Sequence, residues 1–185
     1  MKLLIASDIH GSAYWCQKLV DAVATEKPDR LVLLGDILYH GPRNDLPRDY
    51  APKQVIALLN PLASTIIACR GNCEAEVDQM VLDFACMADS NTLVDSQTNK
   101  TIFLSHGHIW GPGLHNSINH WPALKPGDIF MYGHTHKKVH QQVSAHDDEA
   151  HAGIILFNPG SVSIPKDGTA SYGIYENGEL YHVLL

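Results

Sequence analysis

The chain has 185 residues, of which 45% are hydrophobic and 18% charged, and its formal net charge is −7. This length suits one domain with a sizeable core, and the composition excludes a disordered or low-complexity chain. The acidic balance argues against a long nucleic acid as substrate, because binding to a phosphate backbone draws its affinity from a basic stripe.

Residues 2–7 are a continuous apolar run that reads as a buried strand. The run is too short for a signal core or a spanning helix, and Asp8 ends it. Residues 14–25 place Trp15, Leu19 and Val23 on one helical face, and Pro28-Asp29 breaks the pattern. Residues 30–34 form the next apolar run, and 37–51 are a loop rich in Gly, Pro, Asn and Asp. Pro52–Leu59 reads as a helix, with Pro at its start and Asn60-Pro61 beyond its end. Residues 65–69 predict a third strand and 74–84 a short helix. Strand alternating with helix predicts right-handed crossovers and a largely parallel sheet. The second half changes character. Residues 101–105, 129–132, 138–143, 154–158 and 171–175 and Glu179–Leu184 read as strands with few helices between them, and Glu176-Asn177-Gly178-Glu179 is a tight-hairpin signal. The expectation is an α/β fold of two packed sheets with helices outside, forming a single domain over 1–185. Cys16, Cys69, Cys73 and Cys86 form no C-x-x-C pair, which predicts a reduced, cytoplasmic protein.

The apolar runs stop at clusters of residues that bind metals: Asp8-Ile9-His10, Gly35-Asp36, Gly71-Asn72, His106-Gly107-His108 and Gly133-His134-Thr135-His136. Asn158-Pro159-Gly160-Ser161 is a softer sixth stop. Ligands of open α/β sheets gather beyond the carboxyl ends of strands, so all of these clusters can meet on one rim. Asp8 and His10 can offer an oxygen and an imidazole to one ion, with His136 joining them. Asp36 can bridge two ions, and Asn72, His106 and His134 can complete the second. This mixed nitrogen and oxygen set suits Mn²⁺, Fe²⁺, Zn²⁺ and similar ions better than Ca²⁺. Each cluster alone reads as an ordinary turn, and the ordered set carries the inference.

In that order the motifs resemble the calcineurin-like metallophosphoesterase superfamily, whose pattern is D-x-H, G-D, G-N-H-[DE], H and G-H-x-H. Here the pattern stands as Asp8-Ile9-His10, Gly35-Asp36, Gly71-Asn72-Cys73-Glu74, His106-Gly107 and Gly133-His134-Thr135-His136. The small size, His40-Gly41-Pro42-Arg43-Asn44 and Asn158-Pro159-Gly160-Ser161-Val162-Ser163 are similar to the YfcE-type phosphodiesterases within it. The resemblance implies a four-layer α/β/β/α sandwich of two mixed sheets and a dimetal centre. It implies Asp8, His10, Asp36 and His136 around one ion, and Asp36, Asn72, His106 and His134 around the other. It also implies two divalent cations, manganese first, with Fe, Zn, Ni or Co as alternatives.

Cys73 stands where the superfamily often has a histidine that protonates the leaving group. A thiol is a poor proton donor at neutral pH, so weaker help for basic leaving groups is expected. Arg43 is a candidate phosphate clamp or a solvated loop residue. Arg70 is expected in a structural pair. His108 is either beside the site or structural, and His40 is expected off the site. The run His146-Asp147-Asp148-Glu149-Ala150-His151 reads as an exposed hairpin turn, and Trp110, Leu114 and Trp121 as packing at the core edge.

The expected function is that of a dinuclear metal-dependent phosphodiesterase acting on a small phosphate ester, with a metal-bridging hydroxide attacking phosphorus in line. No membrane is implied, nucleic acid is disfavoured, and a homo-oligomer is left open. The alternatives are a phosphomonoesterase or nucleotide pyrophosphatase on the same metals, a nuclease, and a binding scaffold such as the retromer subunit with this fold.

Overall fold

The computed structural model describes all 185 residues. Strand β1 (Lys2–Ala6) buries Leu3, Leu4, Ile5 and Ala6 on both of its faces. Burial on both faces is why it reads as an unbroken apolar run rather than an alternation. Helix α1 (Ala13–Glu26) begins at Ser12, whose Oγ accepts the N–H of Trp15. It ends at a left-handed Lys27 whose N–H donates to the Val23 carbonyl. Strand β2 (Arg30–Leu33), helix α2 (Pro52–Leu59) and strand β3 (Ile66–Ala68) follow, and β1, β2 and β3 pair in parallel.

The helix expected over 74–84 is shorter in the structure, and α3 covers only Glu76–Gln79. Side-chain bonds replace the helical ladder beyond it. The Gln79 amide donates to the Leu82 and Phe84 carbonyls and accepts from the Cys86 N–H. Strand β4 (Ser90–Asp95) went unpredicted, because it opens on the polar residues Ser90, Asn91 and Thr92 and lies at a sheet edge.

The remaining strands are β5 (Lys100–Ser105), the two-residue pair β6 (Gly111–Pro112) and β7 (Asn119–His120), β8 (Ile129–Met131), β9 (Lys138–Gln142), β10 (Ile155–Pro159), β11 (Ser171–Glu176) and β12 (Glu179–Leu184). Two mixed five-stranded sheets result, in the orders β12-β11-β1-β2-β3 and β4-β5-β8-β10-β9. In the first, the antiparallel hairpin β11–β12 adds to the edge of the parallel strands. In the second, β5, β8 and β10 run parallel between antiparallel edge strands.

The core between the sheets joins Leu3, Ile5, Val32 and Leu34 to Ile102, Leu104, Ile129, Met131 and Phe157. Helices α1 and α2 cover the outer face of the first sheet through Cys16, Leu19, Val55 and Leu59. The two-sheet sandwich is as expected, but the layer over the second sheet is a loop. Trp110, Leu114, Trp121 and Leu124 pack there on Phe130, Tyr132, Val139 and Leu156, so the tryptophans sit at the core edge as the sequence suggested. No helix is long and apolar enough to cross a membrane.

Candidate metal centre

Parallel strands β1, β2 and β3 and their counterparts β5, β8 and β10 end on one rim, and backbone bonds stitch the loops beyond them. Asp8 N–H donates to the Gly35 carbonyl at 3.1 Å, His10 N–H to the Asp36 carbonyl at 2.9 Å and Gly133 N–H to the His106 carbonyl at 2.8 Å. Each of these bonds joins loops of one sheet. His134 N–H crosses from the second sheet to Asp8 Oδ2, at 3.1 Å, so the two sheets meet at the site.

The first cluster joins Asp8, His10 and His136, all buried. Asp8 Oδ1 lies 3.2 Å from His136 Nε2 and 3.6 Å from His10 Nε2. The two Nε2 atoms are 3.2 Å apart. Each ring gives its Nδ1 proton to a carbonyl, His10 to Tyr39 at 2.7 Å and His136 to Ile164 at 2.9 Å. With Nδ1 donating, each ring in its neutral form presents a lone pair at Nε2, and two such lone pairs cannot bond each other. Asp8 Oδ1 is buried without a hydrogen-bond partner. Facing lone pairs and an orphaned carboxylate oxygen are what a divalent cation relieves, so these residues fit one.

The second cluster joins Asp8, Asp36 and His106. Asp36 Oδ2 lies 3.6 Å from His10 Nε2 and 3.4 Å from His106 Nε2, which places one carboxylate between the two clusters. His106 repeats the orienting pattern, its Nδ1 donating to the Leu34 carbonyl at 2.6 Å and its Nε2 lying 3.2 Å from Asn72 Oδ1. The His134 ring centroid is 5.1 Å from that of His106, at the rim of this cluster. All seven candidate residues are therefore brought to one place.

The local fields are strong. Burial raises the Asp8 carboxyl, but His136 and His10 outweigh it and hold the group well below its usual range. Burial likewise lowers the His106 imidazole, and the Asp36 carboxylate beside it reverses this and lifts it to about 9. His134 is pushed down to about 4 by burial and by the neighbouring His106.

Some residues of the site carried no clear sequence signal. Glu74 is buried and accepts the backbone N–H groups of Asp36 (2.8 Å), Ile37 (2.6 Å) and Gly71. It closes the Gly71-Asn72-Cys73-Glu74 motif. Ser161 Oγ donates to the Asp8 carbonyl at 2.8 Å, and the Asn158 amide donates to the Gly133 carbonyl at 2.9 Å. The softer sixth stop is thus a buttress for the others. A cavity of about 180 Å³ opens over the centre, lined by Asp36, Asn72, Cys73, His134 and His136 with Arg43 and Lys166. Arg43 is exposed at the cavity's edge, and Lys166, which carried no sequence signal, lines it too.

Cys73 Sγ lies within 4.8 Å of donor atoms of His10 and Asp36, and burial and Asp36 push the thiol above its usual range. Arg70 pairs with Asp89, with Nη2 2.6 Å from Oδ1. The His40 ring sits between Tyr39 and Tyr50, away from the cavity. His108 is half-buried, 5.3 Å from His106 between ring centroids, and lowered to about 4 by burial and by His106. The 146–151 segment lies between the antiparallel strands β9 and β10, where His151 bonds Asp148 and stacks on Trp121.

The profile of the calcineurin-like phosphoesterase superfamily domain matches residues 1–179. The chain belongs to that superfamily. It is 45% identical to phosphodiesterase YfcE of Escherichia coli K12, over all of this chain and 92% of that protein. The structure of the E. coli phosphoesterase Yfce superposes with a TM-score of 0.86 at 42% identity, covering 99% of this chain and 98% of that one. A more distant relative is phosphodiesterase MJ0936 of Methanocaldococcus jannaschii, 25% identical over 95% of this chain and 93% of its own.

Proposed function

We propose that this chain is a metal-dependent phosphodiesterase that hydrolyses small phosphodiesters. We assign it two divalent cations, manganese first, held by Asp8, His10, Asp36, Asn72, His106, His134 and His136, and read 1–185 as a single cytoplasmic domain. The observation that carries this reading is the pair of Nε2 atoms of His10 and His136, which face each other at 3.2 Å beside Asp8 while each ring's Nδ1 is held by a carbonyl. Kinship to proteins named phosphodiesterases supports the choice of ester.

Bound cations would lower the pKa of a water molecule and neutralise charge gathering on the phosphoryl oxygens. The chain's own residues do the rest. The carbonyls of Tyr39, Ile164 and Leu34 fix the His10, His136 and His106 rings in the tautomer that ligation needs. Glu74 fixes the backbone of Asp36, and His134 N–H fixes the Asp8 carboxylate. Arg43 and Lys166 line the cavity where phosphoryl oxygens would lie and offer them positive charge. Cys73 keeps its proton and gives little help to a departing alkoxide.

The test is an ester panel run with Mn²⁺, Zn²⁺, Fe²⁺, Ni²⁺ or Co²⁺ and with chelator. It includes the mono- and diester of one alcohol and an oligonucleotide. The diester is expected to be cleaved fastest and the oligonucleotide left intact. Asp36→Asn and His134→Ala are each expected to slow diester cleavage at least about 100-fold. A folded protein that takes up no metal and cleaves no diester would sink the proposal.

A further inference from the structure

A second cavity, of about 370 Å³, lies beside the metal centre and shares the Cys73 side chain with it as a common wall. Its character is opposite. The metal cavity is polar and flanked by Arg43 and Lys166. The neighbouring cleft is lined by Tyr39, Tyr50, Ile56, Cys73, Val77 and Val81. Asp78 is its one acidic lining residue, and the Asp78 Oδ2 atom accepts the Ala75 N–H at 2.8 Å. Val77 stays 60% exposed, Tyr39 42% and Val81 40%. Apolar side chains left open beside a reactive centre mark a place where something apolar binds.

The cleft is anchored to the metal centre. The Tyr39 and Tyr50 rings hold the His40 ring edge-on between them, with centroids 4.7 and 5.2 Å away. The Tyr39 carbonyl also accepts the Nδ1 proton of His10. One residue therefore forms a wall of the cleft and orients a candidate ligand.

We propose that the apolar cleft beside Cys73 receives one ester group of the phosphodiester, and that it selects aromatic or other flat apolar alcohols over sugar-like or charged ones. The inference rests on the phosphodiesterase reading and names its substrate class. An ester of this kind matches both halves of the site. Its anionic phosphoryl group meets the cations and Arg43, and its ring covers Ile56, Val77 and Val81. A sugar in the same place would bury hydroxyls against side chains that offer almost no partners. A phosphomonoester of inorganic size would leave the cleft empty.

The experiment compares phenylphosphonate with methylphosphonate on the zinc-loaded protein, by calorimetry and by NMR of the Ile56, Val77 and Val81 methyl groups. Phenylphosphonate is expected to bind about tenfold or more tightly, given the apolar area its ring covers, and to shift those methyl resonances. Val77→Asp should bring the affinity ratio toward one. Equal affinities in the wild type, methyl resonances that stay in place, or a ratio that persists in Val77→Asp would each overturn the proposal. So would a dimer in sedimentation that Val77→Asp dissociates, since the face would then belong to a second copy of the chain. Neither phosphonate is cleaved, so the ratio judges the cleft even in a protein that turns over no diester. A clear ratio without any turnover would refute the phosphodiesterase reading and leave the cleft standing.

Discussion

At the hairpin end of the two sheets, the left-handed backbone positions fall on Asn99 (φ 54°) between β4 and β5, and on Asn177 (φ 53°) between β11 and β12. Lys100 Nζ donates to the Gly178 carbonyl and ties these two turns together. At the opposite rim, the same conformation falls on Asp8 (58°), His10 (48°), Asp36 (54°), His134 (68°) and His136 (57°). Asparagine tolerates this region readily, whereas an ordinary side chain there costs about 1–2 kcal/mol. The hairpin end follows local preference. The rim gathers this conformation on five of the seven candidate ligands, aspartates and histidines that visit this region more often than most side chains, held in place by bonds such as His10 N–H to the Asp36 carbonyl. Strain concentrated on groups that carry chemistry is the signature of a functional site.

The hardest blow to the rim is a single methyl. A Cβ at Gly71 would run into the Asp36 carboxylate and backbone nitrogen and the Glu74 carboxylate. Gly71→Ala should lower diester turnover at least about 100-fold, since small misplacements of reacting groups are that costly. Overpacking should also cost about 1–3 kcal/mol in urea unfolding. Near-normal turnover in a folded Gly71→Ala protein would show that the rim is looser than its geometry implies.

Charge separates the two ends next. In metal-free protein Asp36 lifts His106 to about 9 against the pull of burial. A histidine raised above its unfolded value of about 6.5 adds stability that is fully present below that pH and is lost as pH rises through about 9. Chelator-treated protein should therefore lose on the order of 3 kcal/mol between pH 6 and 10 relative to a His106→Asn variant. Chemical unfolding at several pH values reads this difference directly. Parallel curves for the two proteins would break the assignment of His106 as the imidazole charged by Asp36.

Much of this contrast was legible in the sequence. The apolar runs ending at Asp8, Asp36, His106 and His134 placed the strands and the rim together, because a strand buried on both faces is unbroken and its end is abrupt. Glu176-Asn177-Gly178-Glu179 announced its hairpin through turn chemistry alone. Strand β4 was hidden, since an edge strand that starts Ser90-Asn91-Thr92 has no apolar periodicity. Helix α3 was overdrawn because Gln79 supplies bonds that a linear pattern does not encode. Glu74 and Lys166 were missed as site residues for a similar reason, as their roles depend on loops distant in the chain.

Cys73 offers a milder test of the rim's chemistry. Burial and Asp36 keep the thiol protonated, so it is a weak acid toward a departing alkoxide. Cys73→His should raise cleavage of alkyl diesters by about tenfold and leave nitrophenyl diesters nearly unchanged, because only a basic leaving group needs the proton. A matched series of leaving groups gives the slope. An unaltered slope would mean that no proton donor is wanted at this position.

The smallest effects belong to the hairpin end. Asn177 sits in a tight turn where the backbone asks for a left-handed residue and nothing more. Asn177→Gly should change unfolding free energy by no more than about 0.5 kcal/mol, since glycine adopts this region at no steric cost. Asn177→Ala should cost about 1 kcal/mol. Diester turnover should be the same for both variants as for the wild type. His134→Gly makes the converse case at the rim: it relieves the same kind of strain and should still abolish turnover, because the imidazole is the reason the strain is tolerated. If His134→Gly kept its activity, the left-handed rim would be an ordinary set of turns, and its difference from the hairpin end would have no chemical meaning.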